Sequence, residues 1–140
     1  MIDLLNGIQS TRAALTAERF RMDIIAQNIA NAQTTRGPDG KPYQRQTVVF
    51  EDSLQQAVGA NGQTPLLRVA RVEKDPRPGK SVLMPGHADA DAKGMVTMPN
   101  VNIHEEMADL ITASRVFEAN LSVVRNARTM AMQTLAIGKR

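Results

Sequence analysis

The stretch that decides the fold is NIHEEMADLITASRVFEANLSVVRNARTM, residues 102–130. It contains no proline or glycine, and its apolar residues recur every seven positions, which is typical of a helix that lies along other helices. The first row consists of Ile103, Leu110, Phe117, Val124 and Ala131. An adjacent row, interrupted by Ser114 and Arg128, consists of Met107, Leu121 and Leu135. The sequence therefore predicts a long C-terminal helix with an apolar stripe.

Both ends of this helix carry local signals. Asn102 is a good N-terminal cap because its side-chain oxygen accepts an unpaired backbone N–H. Glu105 follows three residues later, and this spacing predicts a capping box in which the glutamate bonds back to the cap residue. Gly138 is suited to end the helix. We therefore expect the helix to span roughly residues 102–138.

A second long helix is predicted at the N-terminal end, from about Asp3 to about Ala32. Its apolar row has the same seven-residue spacing and is joined on one side by Ile25; the row consists of Ile8, Leu15, Met22 and Ile29. Thr11 and Glu18 occupy positions where a strict coiled coil is apolar. We expect Asn31 to help end the helix, and Asn28 and Asn120 to bond across helix contacts.

The middle of the chain has a different composition. All seven prolines fall between Pro38 and Pro99, and seven of the nine glycines fall between Gly37 and Gly94. Between these helix breakers lie four candidate strands, at 46–52, 66–73, 81–84 and 94–98, which predict a small antiparallel β element. The expected fold is α+β: the helical ends, 1–35 and 102–140, pair as a coiled-coil-like hairpin and form one unit, and 36–101 is a β-rich, loop-rich middle segment.

The apolar stripes exceed what the chain can cover. Two long helices that face only each other leave much apolar surface in water, and the middle segment offers little to cover it. Partners in other chains are the interpretation we favour over an ordinary hairpin packed on a small sheet. The predicted assembly surface comprises Ile8, Leu15, Met22, Ile25, Ile29, Ile103, Met107, Leu110, Phe117, Leu121, Val124 and Leu135.

Composition excludes several classes of protein. The chain has 140 residues and no cysteine, which excludes disulfides and thiolate catalysis. Its net charge of +3 is mild and no run of five like charges occurs, so we expect no nucleic-acid partner. The N-terminus lacks a basic start and a continuous apolar run, so we expect no cleaved secretory signal. No stretch is apolar over the roughly 18 residues of a membrane span.

Two motifs resemble metal sites and fail as such. Asp89 and Asp91 begin like a calcium-binding loop, but Lys93 occupies a ligand position and Asn100 replaces the required glutamate. His104 and Glu105 begin a helical zinc motif, but Ala108 replaces its second histidine. A site built from His87, Asp89 and Asp91 is the remaining alternative to a tight turn whose aspartates bond nearby backbone N–H groups. We expect the turn, and no metal, cofactor, small-molecule substrate or enzymatic activity.

Three stretches resemble one known family. NIANAQTT (28–35) resembles the N-terminal signature of bacterial flagellar axial proteins, the class that forms the rod and hook. The stretches PGHADADAKGMVTMPNVNIHEEMADLITASRVFEANLSVVRNARTM (85–130) and LAIGK (135–139) resemble flagellar basal-body rod proteins. The chain departs from that pattern at Ala88, where proline is usual, and at Met95 and Phe117, where tyrosine is usual.

The resemblance implies a structural subunit of the proximal rod, the driveshaft that crosses the periplasm. It implies terminal helices that pair and line a tube, a β segment that makes lateral contacts, and export by the flagellar type III apparatus. The expected partners are copies of the chain itself, other rod proteins and that export apparatus. A soluble adaptor whose helices bind a partner coiled coil without forming a tube stays open as the alternative function.

Overall fold

A computed structural model describes residues 2–56 and 63–138, with side chains described at 7–51 and 67–138. The chain forms two long helices separated by two short β-sheets, so the α+β class is confirmed. The elements are α1 (Ile2–Ala30), β1 (Gln46–Gln56), β2 (Gln63–Lys74), β3 (Ser81–Leu83), β4 (Met95–Thr97) and α2 (Ile103–Ile137).

α1 ends two residues earlier than the sequence indicates. Beyond Ala30 the backbone tightens, since the Ala32 N–H donates to the Ile29 carbonyl at 3.2 Å instead of continuing the α-helical pattern. The backbone N–H and the side-chain amide of Asn31 both donate to the Gln27 carbonyl, at 3.0 Å and 2.9 Å. That Asn31 helps to end the helix stays a prediction.

The predicted cap of α2 is confirmed, with one difference. Asn102 Oδ1 accepts the backbone N–H of His104 at 3.2 Å. Glu105 accepts from the Asn102 side-chain amide at 2.9 Å. The glutamate therefore fixes the cap side chain itself, whereas the capping box predicted a bond to the cap's backbone. At the other end, the Gly138 N–H donates to the Thr134 carbonyl.

The middle segment forms two separate two-stranded antiparallel sheets, one for each pair of predicted strands. β1 and β2 pair from Gln46 opposite Lys74 to Gln56 opposite Gln63, with a register shift between Val49 and Phe50. The pairing extends past the predicted ends at 52 and 66. β3 and β4 make only three residue pairs.

The two helices contact each other and run antiparallel. Near its start, α1 places Gly7 and Ile8 beside Met130 of α2, and near its end it places Asn28 against Glu106. The opposite side of α1 packs on β2, where Ala17 and neighbouring residues meet the strand. The buried apolar residues are few and mostly small: Ala17, Ile24, Ile25, Ala32, Val96, Ala113 and Ala127. None of the helices described reaches the length and apolar character needed to cross a membrane.

Candidate assembly surface and the polar cluster beneath it

The buried side of α2 is a seam of two heptad rows. One is the row predicted first, which is half-buried from Leu110 to Ala131, with Ile103 37% exposed at its start. The row beside it is the more buried one, and it consists of Glu106, Ala113, Asn120 and Ala127. These two rows stand four and three residues apart, as the a and d positions of a heptad do. Alanine in the second row leaves room for α1 to approach.

The row predicted as the partner lies on the flank of this seam. Met107 is 53% exposed and Leu135 is 61% exposed, while Leu121 is partly buried. On α1, Ile25 is buried and the rest of the predicted row is partly buried, namely Ile8, Leu15, Met22 and Ile29. The structure therefore places most of the predicted surface at or beside the contact between the helices.

Most of the large apolar residues that remain exposed belong to α2. α1 contributes only Phe20 to this set within its described side chains. On α2 the exposed set is Ile103, Met107, Ile111, Val116, Val123, Met130, Met132, Leu135 and Ile137. Exposed apolar surface of this extent is typical of surfaces that other proteins cover.

A charged residue, Glu106, is fully buried in the seam. Its carboxylate accepts from Arg45 Nε at 2.6 Å and from Asn28 Nδ2 at 2.9 Å. A buried carboxylate is tolerated only when it is paired and hydrogen-bonded, and both conditions hold here. The contact joins the start of α2 to the end of α1 and to the residue just before β1.

Asn28 is the centre of this polar cluster. It is 1% exposed, and its Oδ1 accepts from the Tyr43 hydroxyl and from the Gln46 backbone N–H, both at 2.9 Å. Its amide also donates to the Gln46 carbonyl at 2.8 Å. The prediction that Asn28 bonds across the helices is confirmed. Asn120 makes no such hydrogen bond within the part of the chain that the structure describes.

Arg45 extends the cluster to the loop before α2. Its backbone N–H donates to Asn100 Oδ1 at 2.7 Å, and its guanidinium lies 3.3 Å from Asp109 and 4.0 Å from Asp75. The Arg77 side chain and backbone N–H donate to Asp75, and together they hold the pKa of that carboxyl below its usual range. The cluster therefore joins the two helices, the start of β1 and the loops that follow β2 and precede α2.

Sequence reasoning found Asn28 in this cluster but missed Glu106, Arg45 and Tyr43. One signal was available, since Glu106 stands seven residues before Ala113 and twenty-one before Ala127, in a row of small residues. Nothing near Arg45 in the sequence identifies it as the partner.

The cluster changes the acidity of the chain's single tyrosine. Burial, and then the nearby Glu106 carboxylate, raise the pKa of Tyr43 above its ordinary value of 10.0, because both disfavour the phenolate. Because the pKa of Tyr43 is higher in the folded state, the neutral hydroxyl contributes to the free energy of unfolding. That contribution is fully present below pH 10 and is lost as pH rises through the folded-state pKa. Tyrosinate absorbance is a clean measurement because there is no tryptophan. We expect a midpoint above 10 in the native chain and near 10 in denaturant; equal midpoints would contradict the burial of this hydroxyl.

Glu18 is a second carboxylate inside the helical contact, and it lacks adequate partners. It is 8% exposed, its Oε1 lies 4.0 Å from Arg21, and its Oε2 has no hydrogen-bond partner among the described residues. Replacing a poorly paired buried charge by an apolar side chain of similar volume is neutral or stabilising.

We expect Glu18→Leu to raise the free energy of unfolding by about 1–3 kcal/mol in denaturant titrations. Glu118→Leu, at an exposed position on the other helix, is the matched control and is expected to change it by less than about 0.5 kcal/mol. A destabilised Glu18→Leu chain would show that this carboxylate has a partner that offsets its burial.

The loop at 87–91 forms the expected turn. Asp91 Oδ1 accepts the backbone N–H groups of Lys93 and Met95, both at 2.8 Å. Asp89 instead makes tertiary contacts, since its carboxylate accepts from the Thr35 hydroxyl at 2.8 Å and lies 3.5 Å from Arg36. The loop therefore ties the segment after α1 to β4. Among the described residues, no group of three or more His, Cys, Asp or Glu is placed to hold a metal ion.

Two family descriptions match the two helical ends. Residues 8–38 match "Flagella basal body rod protein", and residues 92–137 match "Flagellar basal body rod FlgEFG protein C-terminal". The matched ranges contain most of α1, β4 and α2, and they include both sides of the Asn28–Glu106 contact.

Three similar proteins that align over nearly the whole chain each carry the name "Flagellar basal-body rod protein FlgC". The one from Borreliella burgdorferi is 41% identical and covers 96% of this chain and 97% of its own. The one from Yersinia enterocolitica is 39% identical and covers 99% of this chain and 100% of its own. The one from Bacillus subtilis is 32% identical and covers 96% of this chain and 97% of its own. From this similarity along both helices and the segment between them, the chain belongs to the flagellar basal-body rod protein FlgC family.

Proposed function

We propose that the chain polymerises through its terminal helices, with copies of itself and with other rod proteins, into the tubular proximal rod. Its family is that of a structural protein of the flagellar basal-body rod and not of an enzyme. The proposal adds the mode of assembly, the position in the periplasmic part of the rod and delivery by the flagellar type III export apparatus. It includes no nucleic-acid partner.

The observation that carries the proposal is the exposed apolar surface of α2. Met107, Ile111 and Leu135 are each more than half exposed, as are Val123 and Met130 on another side of the helix. Burying apolar surface yields about 25 cal/mol per Å², so covering this surface with neighbouring subunits stabilises an assembly. An isolated chain leaves it in water.

The pairing of the helices supports the same proposal. The seam of α2 repeats every seven residues, and α1 lies against it antiparallel, so a coiled-coil-like hairpin is the packing we propose for the rod. In this arrangement residues 1–35 and 102–140 form one helical unit and 36–101 a middle segment. The twelve residues of the predicted assembly surface then divide between the hairpin contact and contacts with neighbouring subunits.

Fractionation tests the proposal against the alternative of a soluble adaptor. The chain, carrying an epitope tag, replaces the resident rod subunit of a flagellated host, and basal bodies are purified through detergent and high salt. We expect the tagged chain to remain with the basal bodies in a fixed ratio to the other rod proteins. Release of the chain by the salt wash, with flagella intact, would favour the adaptor.

A further inference from the structure

β3 is an edge strand whose outer backbone groups have no partner. Just outside its ends, the Lys80 carbonyl accepts a hydrogen bond at 2.7 Å and the Met84 N–H donates one at 2.8 Å, both with residues that flank β4. Bonded and outward-facing residues alternate along an antiparallel strand, so Ser81 and Leu83 direct their backbone N–H and C=O groups away from β4. These outward groups make no hydrogen bond within the part of the chain that the structure describes.

Other strand edges of the molecule are closed or protected, whereas the edge of β3 is accessible. On β4, Asp91 satisfies both outward groups of Met95, because its side chain accepts the N–H at 2.8 Å and its own N–H donates to the carbonyl at 2.9 Å. The β1–β2 pair has a register shift and exposed charged side chains, which protect an edge against pairing with other chains. β3 has neither feature, and all three of its residues are exposed.

The side chains on one face of β3 indicate what a strand added to this edge carries. Val82 and Met84 are 37% and 40% exposed, and the alternation of side chains along the strand places them on the same face as Lys80. Lys80 is exposed and has no ion pair among the described residues. An added strand therefore gains from a carboxylate beside Lys80 and from an apolar side chain over its two neighbours. These contacts supplement the few backbone bonds that so short a strand offers.

Two acidic side chains lie near this hairpin, but on its other face. Asp89 and Asp91 line a cavity together with Ser81, and the alternation of side chains puts Ser81 on the face opposite Lys80. The Asp89 carboxylate lies 3.5 Å from Arg36, and Asp91 Oδ1 accepts two backbone N–H groups. Both carboxylates are therefore engaged away from the position beside Lys80, where the charge that faces a partner is positive.

We propose that β3 binds an extended segment of a partner protein. The segment adds to the hairpin as a third strand, with an acidic residue beside Lys80 and an apolar residue over Val82 and Met84. An extended segment fits because its own N–H and C=O groups match outward groups that recur every second residue along an edge. The site goes beyond the proposed function, since it lies in the middle segment and makes no use of the terminal helices.

Backbone amide NMR of the full chain, at a concentration where it sediments as a monomer, tests the site. The probe is a blocked seven-residue peptide with threonine at every second position, valine at the third and fifth, and glutamate at both ends. Pairing in either direction then places a carboxylate beside Lys80. We expect saturating peptide to shift the amide signals of Ser81 and Leu83 and to slow their exchange with water about tenfold or more. The same peptide with lysine at both ends is the control and is expected to bind more weakly.

Ser81→Pro removes an outward N–H and leaves the hydrogen bonds to β4 in place. Proline is tolerated at the first residue of a strand and at sheet edges. We expect the affinity for the glutamate peptide to fall about tenfold or more, with the amide signals of β4 retained. Ser81→Ala keeps the N–H and is the matched control, which is expected to bind as the unsubstituted chain does.

Lys80→Glu reverses the charge beside the edge without changing the backbone. We expect it to weaken binding of the glutamate peptide and to strengthen binding of the lysine peptide. Arg125→Glu, at an exposed position in the later part of α2, makes the same change of net charge and is expected to alter neither affinity.

The site would be overturned by unchanged amide signals of Ser81 and Leu83 with the glutamate peptide. Equal binding of the two peptides, or equal affinities of Ser81→Pro and Ser81→Ala, would also contradict it. Each of these outcomes leaves the proposed function standing, because assembly through the terminal helices is measured separately by fractionation of basal bodies.

Discussion

Replacing Arg45 with methionine is expected to lower the free energy of unfolding by about 3–5 kcal/mol, the usual cost of removing one partner from a buried ion pair. Glu106 is fully buried, and Arg45 Nε at 2.6 Å is its cationic partner. Methionine keeps much of the apolar length of the arginine side chain, so the change removes mainly the charge and its hydrogen bonds. Asn28 alone then faces a carboxylate that cannot reach water.

Urea unfolding followed by circular dichroism measures this effect, and Arg71→Met is the matched control. Arg71 pairs with Glu73 at the same distance of 2.6 Å, but both side chains are at least half exposed, so we expect a loss below about 1 kcal/mol. Adding Glu106→Leu to Arg45→Met removes the unpaired charge and is expected to restore most of the stability. If Arg45→Met and Arg71→Met lowered the free energy of unfolding by equally small amounts, the Glu106 carboxylate would have to be solvated.

The helices and strands could be predicted because their signals are local. The cap at Asn102, the turn at Asp91 and the confinement of proline and glycine to the middle each act over a few residues. The row from Ile103 to Ala131 could also be predicted, since its period is visible without knowing the partner. The second buried row, which contains Ala113 and Ala127, could not be predicted. The large apolar side chains of Met107 and Leu135 indicated burial more strongly than these two alanines did.

The polar cluster could not be predicted from the sequence because its contacts join residues that are far apart in the chain. A glutamate in a helix is usually exposed, and Glu106 is buried only because Arg45, 61 residues away, and Asn28, 78 residues away, meet it in three dimensions. Pairings over such separations depend on how the helices and the β1–β2 hairpin pack. The same holds for Asp89, whose local sequence indicated a turn, whereas its carboxylate contacts Thr35 and Arg36.

The buried polar residues act in folding of the subunit, and the exposed apolar residues of α2 are available for assembly. Within the subunit, a fully satisfied polar cluster fixes one end of the helix pair, while alanines along the seam permit close approach with little directional preference. The best-attested role of a buried polar contact between helices is to specify their register. Register in turn sets where the exposed side chains of α2 face, so the cluster determines the geometry that a neighbouring subunit meets.

Leu121→Asp is expected to abolish assembly while leaving the chain made and exported. Leu121 is partly buried on the flank of the seam, one turn from Phe117 and Val124. In the monomer an aspartate there can still turn toward water, so the fold is retained. Between packed subunits it would be an unpaired buried charge, which costs several kcal/mol, and every subunit would carry the same defect. Cells whose only copy is this variant are therefore expected to be non-motile and to lack flagellar structures beyond its point of incorporation.

Arg125→Ala, one turn away and exposed, is the control and is expected to preserve motility. Export is followed by immunoblotting the variant outside the cytoplasm, and assembly by its presence in purified basal bodies. Normal motility with Leu121→Asp would show that this flank of α2 faces water in the rod. Loss of export, with a monomer that folds normally in vitro, would show that the position acts in recognition by the export apparatus, because an unfolded chain in transit makes no packing contact for the aspartate to disrupt.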